Sequence, residues 1–180
     1  LIDFQRGELQ TKYHRPEVSL DNYLPMRSKA SIKKPWFNVI PVMTSRGCPY
    51  NCEFCSVFNL FGKKIRHVPV QNVVQYLIDS GGKKFIFVDD NIIGDPRYAK
   101  ELFRAIKPLN IKWAGQASIS FVYDIELMKL AAESGCVALL FGLESVSTPT
   151  LDRMTKSIKE IHKIEEAIKK IRDVGILFHV

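Results

Sequence analysis

Apolar residues in this chain fall into short continuous runs that alternate with stretches of helical spacing. Val39-Ile40-Pro41-Val42-Met43 is the first run. Val70, Val73, Val74, Leu77 and Ile78 then recur at helical steps, predicting a helix over 70–80 that Gly81-Gly82 stops. Phe85-Ile86-Phe87-Val88 reads as a buried strand. Ala99, Leu102, Phe103 and Ile106 form the stripe of a helix over 97–106. A third strand is predicted over 112–118. Asp124 caps a helix running to Ser134, with Gly135 just beyond its end. Val137-Ala138-Leu139-Leu140-Phe141 is a fourth strand. A helix over 158–174, with Ile161, Ile164, Ile168 and Ile171 on one face, leads to a fifth strand at 177–180.

Apolar strands separated by helices predict an α/β fold with parallel strands covered by helices. An eight-unit barrel takes about 31 residues per strand–helix unit. From Phe37 onward the chain holds about four and a half such units. A partial (β/α) barrel truncated as its fifth strand begins fits this length. An open doubly wound sheet has the same periodicity and stays open here. Residues 1–36 carry Pro16, Pro25 and Pro35 with no sustained period. They read as a linker or arm from an upstream domain, since the chain opens at Leu1 without a methionine, and 37–180 as the core.

Composition is that of one globular domain, with 46% hydrophobic and 25% charged residues. No apolar run approaches the roughly 18 residues of a membrane span. The net charge of +7 would suit an anionic partner. Its lysines are scattered in pairs, Lys33-Lys34, Lys63-Lys64, Lys83-Lys84 and Lys169-Lys170, as on a solvated surface rather than a nucleic-acid footprint.

Candidate chemistry concentrates in Cys48-Pro49-Tyr50-Asn51-Cys52-Glu53-Phe54-Cys55, directly after the first apolar run. A disulfide framework favours a secreted chain, and no secretory segment is visible. Crowded thiols without one point to a reducing cytoplasm. A structural zinc site wants four ligands, for which only His67 lies at short range. A cubane iron–sulfur cluster takes one thiolate per iron, so three cysteines leave one iron for a non-protein ligand. Cys136, between a helix stop and a strand, reads as a small core residue.

In a barrel, active groups gather at the carboxyl ends of the strands. Those ends carry the cysteine loop, Asp89-Asp90-Asn91, Ser118 and Glu144-Ser145. Each has a plainer reading: Asp90 as a helix cap, Ser118 as a strand end, Glu144 as a solvated loop residue, Phe54 as a core aromatic. Arg66 and His67 follow the loop and suit a surface role.

The spacing Cys-x3-Cys-x2-Cys with Phe54 before the last cysteine resembles the signature of the radical S-adenosylmethionine superfamily. The resemblance implies a six-unit partial barrel in which Cys48, Cys52 and Cys55 hold three irons of a [4Fe-4S] cluster. The amino and carboxylate groups of S-adenosylmethionine would chelate the fourth. Reductive cleavage would then give a 5′-deoxyadenosyl radical for hydrogen abstraction. By the same resemblance Phe54 lies along the adenine, Asp89 and Asp90 receive the ammonium, and Asn91, Ser118, Glu144 and Ser145 complete the cofactor site. Glu144 would meet the ribose, since a carboxylate accepts from two hydroxyls. The second strand departs from the family's Gly-Gly-Glu pattern.

Cys55-Ser56-Val57, Phe61-Gly62, 87–91 and 141–145 together resemble the cobalamin-binding branch, which methylates unactivated carbons. That branch implies an upstream cobalamin domain, a reductant such as flavodoxin or ferredoxin, and a small-molecule or lipid-like substrate. Two alternatives are a radical tRNA-modifying methylthiotransferase and a non-catalytic zinc module.

Overall fold

The computed structural model describes residues 2–11, 19–21, 39–62, 64–143 and 162–180. Most of the expected arm lies outside them, as do Phe37 and the first residues expected for the last helix. Within the arm a single helical turn, α1 (Ile2–Arg6), forms and buries nothing. Five residues are too few to leave a period in the sequence.

A two-part loop follows the first strand, β1 (Ile40–Val42). Two-residue strands β2 (Ser45–Arg46) and β3 (Arg66–His67) pair antiparallel and bracket the short helix α2 (Ser56–Phe61). Helix α3 (Val70–Asp79) then leads to β4 (Lys84–Phe87), and α4 (Pro96–Ile106) to β5 (Lys112–Ala117). A 3-10 turn at Ile119–Tyr123 and α5 (Ile125–Glu133) lead to β6 (Cys136–Phe141). Helix α6 (His162–Asp173) precedes β7 (Leu177–His179).

The main sheet is parallel throughout, in the order β1-β4-β5-β6-β7. Strand order therefore follows chain order. A doubly wound sheet reverses at a switch point and sends helices to both faces. Here the order never reverses, so successive right-handed crossovers stack their helices on one face. Helix α3 packs on α4, and α4 on α5. This is a partial (β/α) barrel, with a covered outer face and an open inner one.

The alternation along each strand records the two faces. Phe85 and Phe87 are buried under the helices, while Ile86 between them is exposed on the inner face. Leu139 and Phe141 are buried likewise, and Leu140 is exposed. Trp113 anchors the covered side. It meets Phe87 edge-on at 5.2 Å and stacks on Phe103 at 5.0 Å, and its indole Nε1 donates to Ser134 Oγ at 3.1 Å. Cys136 is buried, and its thiol is pushed above its ordinary value by burial.

Helix boundaries follow local chemistry. Asp95, not Asp90, caps α4, accepting from the Arg97 and Tyr98 amides, with Pro96 at the first helical position. Asp124 caps α5 through the Leu127 amide at 2.9 Å. Gly135 adopts φ +95°, and a Cβ there would lie 2.0 Å from the Ile111 carbonyl oxygen. Only glycine admits the approach of that turn to β5.

Candidate metal centre and cofactor cleft

The three cysteines lie on the loop between β2 and α2, at the carboxyl end of β1. Cys55 takes the cap position of α2, and its amide donates to the Cys52 carbonyl at 3.0 Å, forming a tight turn around Glu53 and Phe54. All three cysteines are partly exposed, and none is in a disulfide. Burial pushes the Cys48 thiol above its ordinary value, against hydrogen bonds from the Tyr50 backbone and the Asn91 side chain. Negative charge on Cys52 and Cys55 raises it further. A cationic cluster would relieve that cost of making Cys48 a thiolate.

Cys48 and Cys55 open onto a cleft of about 630 Å³ on the inner face of the sheet. Its walls are Ile86, Val88, Ala114, Ala138 and Leu140, with Gln116 and His179 as the polar groups on the strands. That volume and this mostly apolar lining suit a bound small molecule. Asp89 and Asp90 stand at its rim beside the cysteines.

The base of the loop is fixed from several sides. Asp89, only 3% exposed, accepts from Thr44 Oγ1 at 2.8 Å, from Ser45 Oγ at 2.6 Å and from both their amides. Burial pushes its carboxyl up, against the pull of those donors. Asp90 Oδ2 accepts from the Gly47 amide at 3.0 Å. Gly47 itself has φ +99°, and a Cβ there would meet the Lys64 carbonyl oxygen at 2.7 Å. Arg46 lies over the Phe61 ring at 4.6 Å. The Tyr98 hydroxyl donates to the Val68 carbonyl at 2.6 Å.

A second polar chain ties the loop to β5. The Ser118 amide donates to Asn91 Oδ1 at 3.2 Å, Ser118 Oγ lies 2.7 Å from Ser120 Oγ, and Ser120 lies 3.0 Å from the Tyr50 hydroxyl. The structure thus brings Cys48, Cys55, Asp89, Asp90, Asn91 and Ser118 to one rim. Phe54 sits on the exposed turn beside them. Glu144 and Ser145 lie outside the described residues.

Among the described residues no three His, Cys, Asp or Glu side chains converge at metal-ligating distances. The donor set still fits an iron–sulfur cluster: three thiols on one loop, none in a disulfide, two of them facing an open cleft. It does not fit a zinc site completed by His67. That imidazole stacks on Tyr98 at 4.1 Å with its Nε2 3.9 Å from Asp95. Burial holds it below its ordinary value, against the pull of Asp95.

Gln116 and His179 escaped the sequence reading. A polar residue inside an apolar strand was the available signal for Gln116. The register shift between Trp113 and Ala114 obscured which face it takes.

A sequence profile of the Radical SAM superfamily matches residues 42–179. The chain belongs to the radical S-adenosylmethionine superfamily of enzymes. It is similar to the bacteriochlorophyllide d C-12(1)-methyltransferase of Chlorobaculum tepidum, 27% identical over 181 residues, covering 94% of this chain and 40% of that protein. The cytidylyl-2-hydroxyethylphosphonate methyltransferase of Streptomyces wedmorensis is 32% identical over 166 residues, covering 89% of this chain and 31% of that protein. The chain therefore spans well under half of either relative. The cobalamin-dependent S-adenosylmethionine radical enzyme OxsB, solved with aqua-cobalamin and S-adenosylmethionine bound, shares the fold. Its TM-score is 0.74 at 20% identity, covering 98% of this chain and 30% of that one. No helix among the described residues is long and apolar enough to cross a membrane.

Proposed function

We propose that this chain is the core of an iron–sulfur enzyme that reductively cleaves S-adenosylmethionine and serves methylation of an unactivated carbon. One observation carries this reading: the cysteine loop opens directly onto the cleft along the inner face of a singly wound sheet. When bound, the cluster and S-adenosylmethionine supply a one-electron cleavage of the sulfonium that makes hydrogen abstraction available.

The chain's own residues hold and orient. Cys48, Cys52 and Cys55 would hold the cluster as thiolates. Phe54 would meet the adenine, and Asn91 and Ser118 would supply polar contacts at the rim. Asp90 would receive the ammonium. Asp89 is not offered for that task, because its carboxylate is buried and taken up by Thr44 and Ser45. By the resemblance, Glu144 and Ser145 would serve the ribose. Ile86, Val88 and Leu140 would give the bound cofactor and substrate an apolar wall to lie against.

Methyl transfer is supported by both curated relatives, each named a methyltransferase. Cobalamin, held on an upstream domain joined through residues 1–36, is supported by the likeness to OxsB. A flavodoxin or ferredoxin would deliver the electron. Metal analysis after anaerobic reconstitution tests the assignment. It should find about four irons and four sulfides per chain, lost in Cys52→Ala. Zinc without sulfide would overturn it.

A further inference from the structure

Three consecutive residues at the carboxyl end of β4 hold successive points of the segment that leads into the first cysteine. Asp89 Oδ1 takes the Thr44 amide at 3.0 Å, the Thr44 hydroxyl at 2.8 Å, the Ser45 hydroxyl at 2.6 Å and the Ser45 amide. Its Oδ2 takes the Thr44 amide again at 3.2 Å. Asp90 Oδ2 takes the Gly47 amide at 3.0 Å. Asn91 reaches the Cys48 sulfur through its side chain, and is itself held by the Ser118 amide at 3.2 Å. The ladder thus runs in step: position 89 on 44 and 45, position 90 on 47, position 91 on 48.

We infer that Asp89 is a positioning residue for the cluster: it fixes the height and direction at which the cysteine loop leaves the sheet, acting through Thr44 and Ser45. The inference rests on the cluster reading above. The physical argument is one of registry. The loop crosses no regular ladder between Ser45 and Cys48 except the two-residue pairing of β2 with β3, so its path needs anchors from elsewhere. Four donors converge on one carboxylate oxygen, and all belong to Thr44 and Ser45, just ahead of the cysteine loop. A buried acceptor with that many donors admits one arrangement, since any displacement leaves buried donors unpaired. The bonding is also nearly confined to Oδ1, so an amide oxygen could fill the same place. A role in receiving an ammonium would instead need the negative charge.

That difference gives the test. Asp89→Ala, Asp89→Asn and the double variant Thr44→Val/Ser45→Ala are compared with wild type in two measurements on the full chain. The first is amide hydrogen exchange of Thr44, Ser45 and Gly47 before iron is added. The second is iron uptake with the electron paramagnetic resonance spectrum of the reduced cluster, with and without S-adenosylmethionine. In Asp89→Ala the three amides should exchange on the order of tenfold faster. The clusters that do form should lose the spectral change caused by S-adenosylmethionine. Asp89→Asn should recover most of both properties. If Asp89→Ala does not fold, the double variant must show the same losses in milder form.

Wild-type exchange and a wild-type spectrum in Asp89→Ala, or in the double variant where Asp89→Ala does not fold, would overturn the inference. So would Asp89→Asn behaving like Asp89→Ala, because the charge rather than the acceptor geometry would then matter. If wild type takes up no iron, the cluster reading fails, and amide exchange alone still decides whether the clamp exists.

Discussion

The hydroxyls of Tyr50 and Ser120 stand 3.0 Å apart, joining the cysteine loop to the turn that follows β5. The two residues are far apart in sequence, and the contact exists only because the strands carry both to the same rim. Ser120 is also 2.7 Å from Ser118, so it keeps a partner if Tyr50 is removed. Tyr50→Phe should therefore cost about 1 kcal/mol in urea unfolding and leave iron uptake intact. Loss of the cluster in that variant would show that the loop depends on this contact.

Gly47 is a harder constraint. With φ +99° and a Cβ placed 2.7 Å from the Lys64 carbonyl oxygen, any side chain meets both backbone strain and a backbone atom. Gly47→Ala should destabilise by roughly 1–3 kcal/mol and reduce iron uptake, measured by unfolding and metal analysis together. A variant of wild-type stability with a full cluster would contradict the geometry.

The covered face of the sheet depends on Trp113, which is 1% exposed among Phe87 and Phe103. Trp113→Ala should cost about 3–5 kcal/mol, visible as a lowered denaturation midpoint. Ser134 Oγ keeps its bond to the Ala131 carbonyl at 2.8 Å, so no buried hydroxyl is orphaned.

Asp124 makes a pH-dependent contribution. Desolvation raises its carboxyl, but the Lys100 ammonium at 2.9 Å and the Leu127 amide outweigh this and hold it below its ordinary value of 3.8. A depressed carboxyl stabilises the fold above its unfolded value, and the contribution is lost as pH falls through the folded value. Asp124→Ala should cost about 1 kcal/mol at pH 7. Urea midpoints should show that cost shrinking below pH 3.8. Asp124→Asn, which keeps the cap and drops the charge, should lose less at neutral pH.

The elements of the barrel were legible because their ends are written locally. Asp124 and Gly135 bracket one helix, and the apolar runs of β4 and β6 stand between them and their neighbours. Strand order was not legible, since periodicity is the same in a singly and a doubly wound sheet. The β2–β3 pairing was missed because Ser45-Arg46 and Arg66-His67 are too short to alternate. The cysteines stood out by their spacing together with their place directly after the first strand. Asp89 could not, because a carboxylate at a strand end faces either a ligand or a neighbouring loop. Which one depends on the parallel pairing of β1 with β4.

The central claim is tested most directly by looking for 5′-deoxyadenosine. The chain is reconstituted anaerobically with iron and sulfide, reduced, and given S-adenosylmethionine, with Cys52→Ala as control. The account predicts 5′-deoxyadenosine and methionine from wild type and neither from the variant. A wild-type chain that carries its cluster yet yields no more 5′-deoxyadenosine than Cys52→Ala would contradict it.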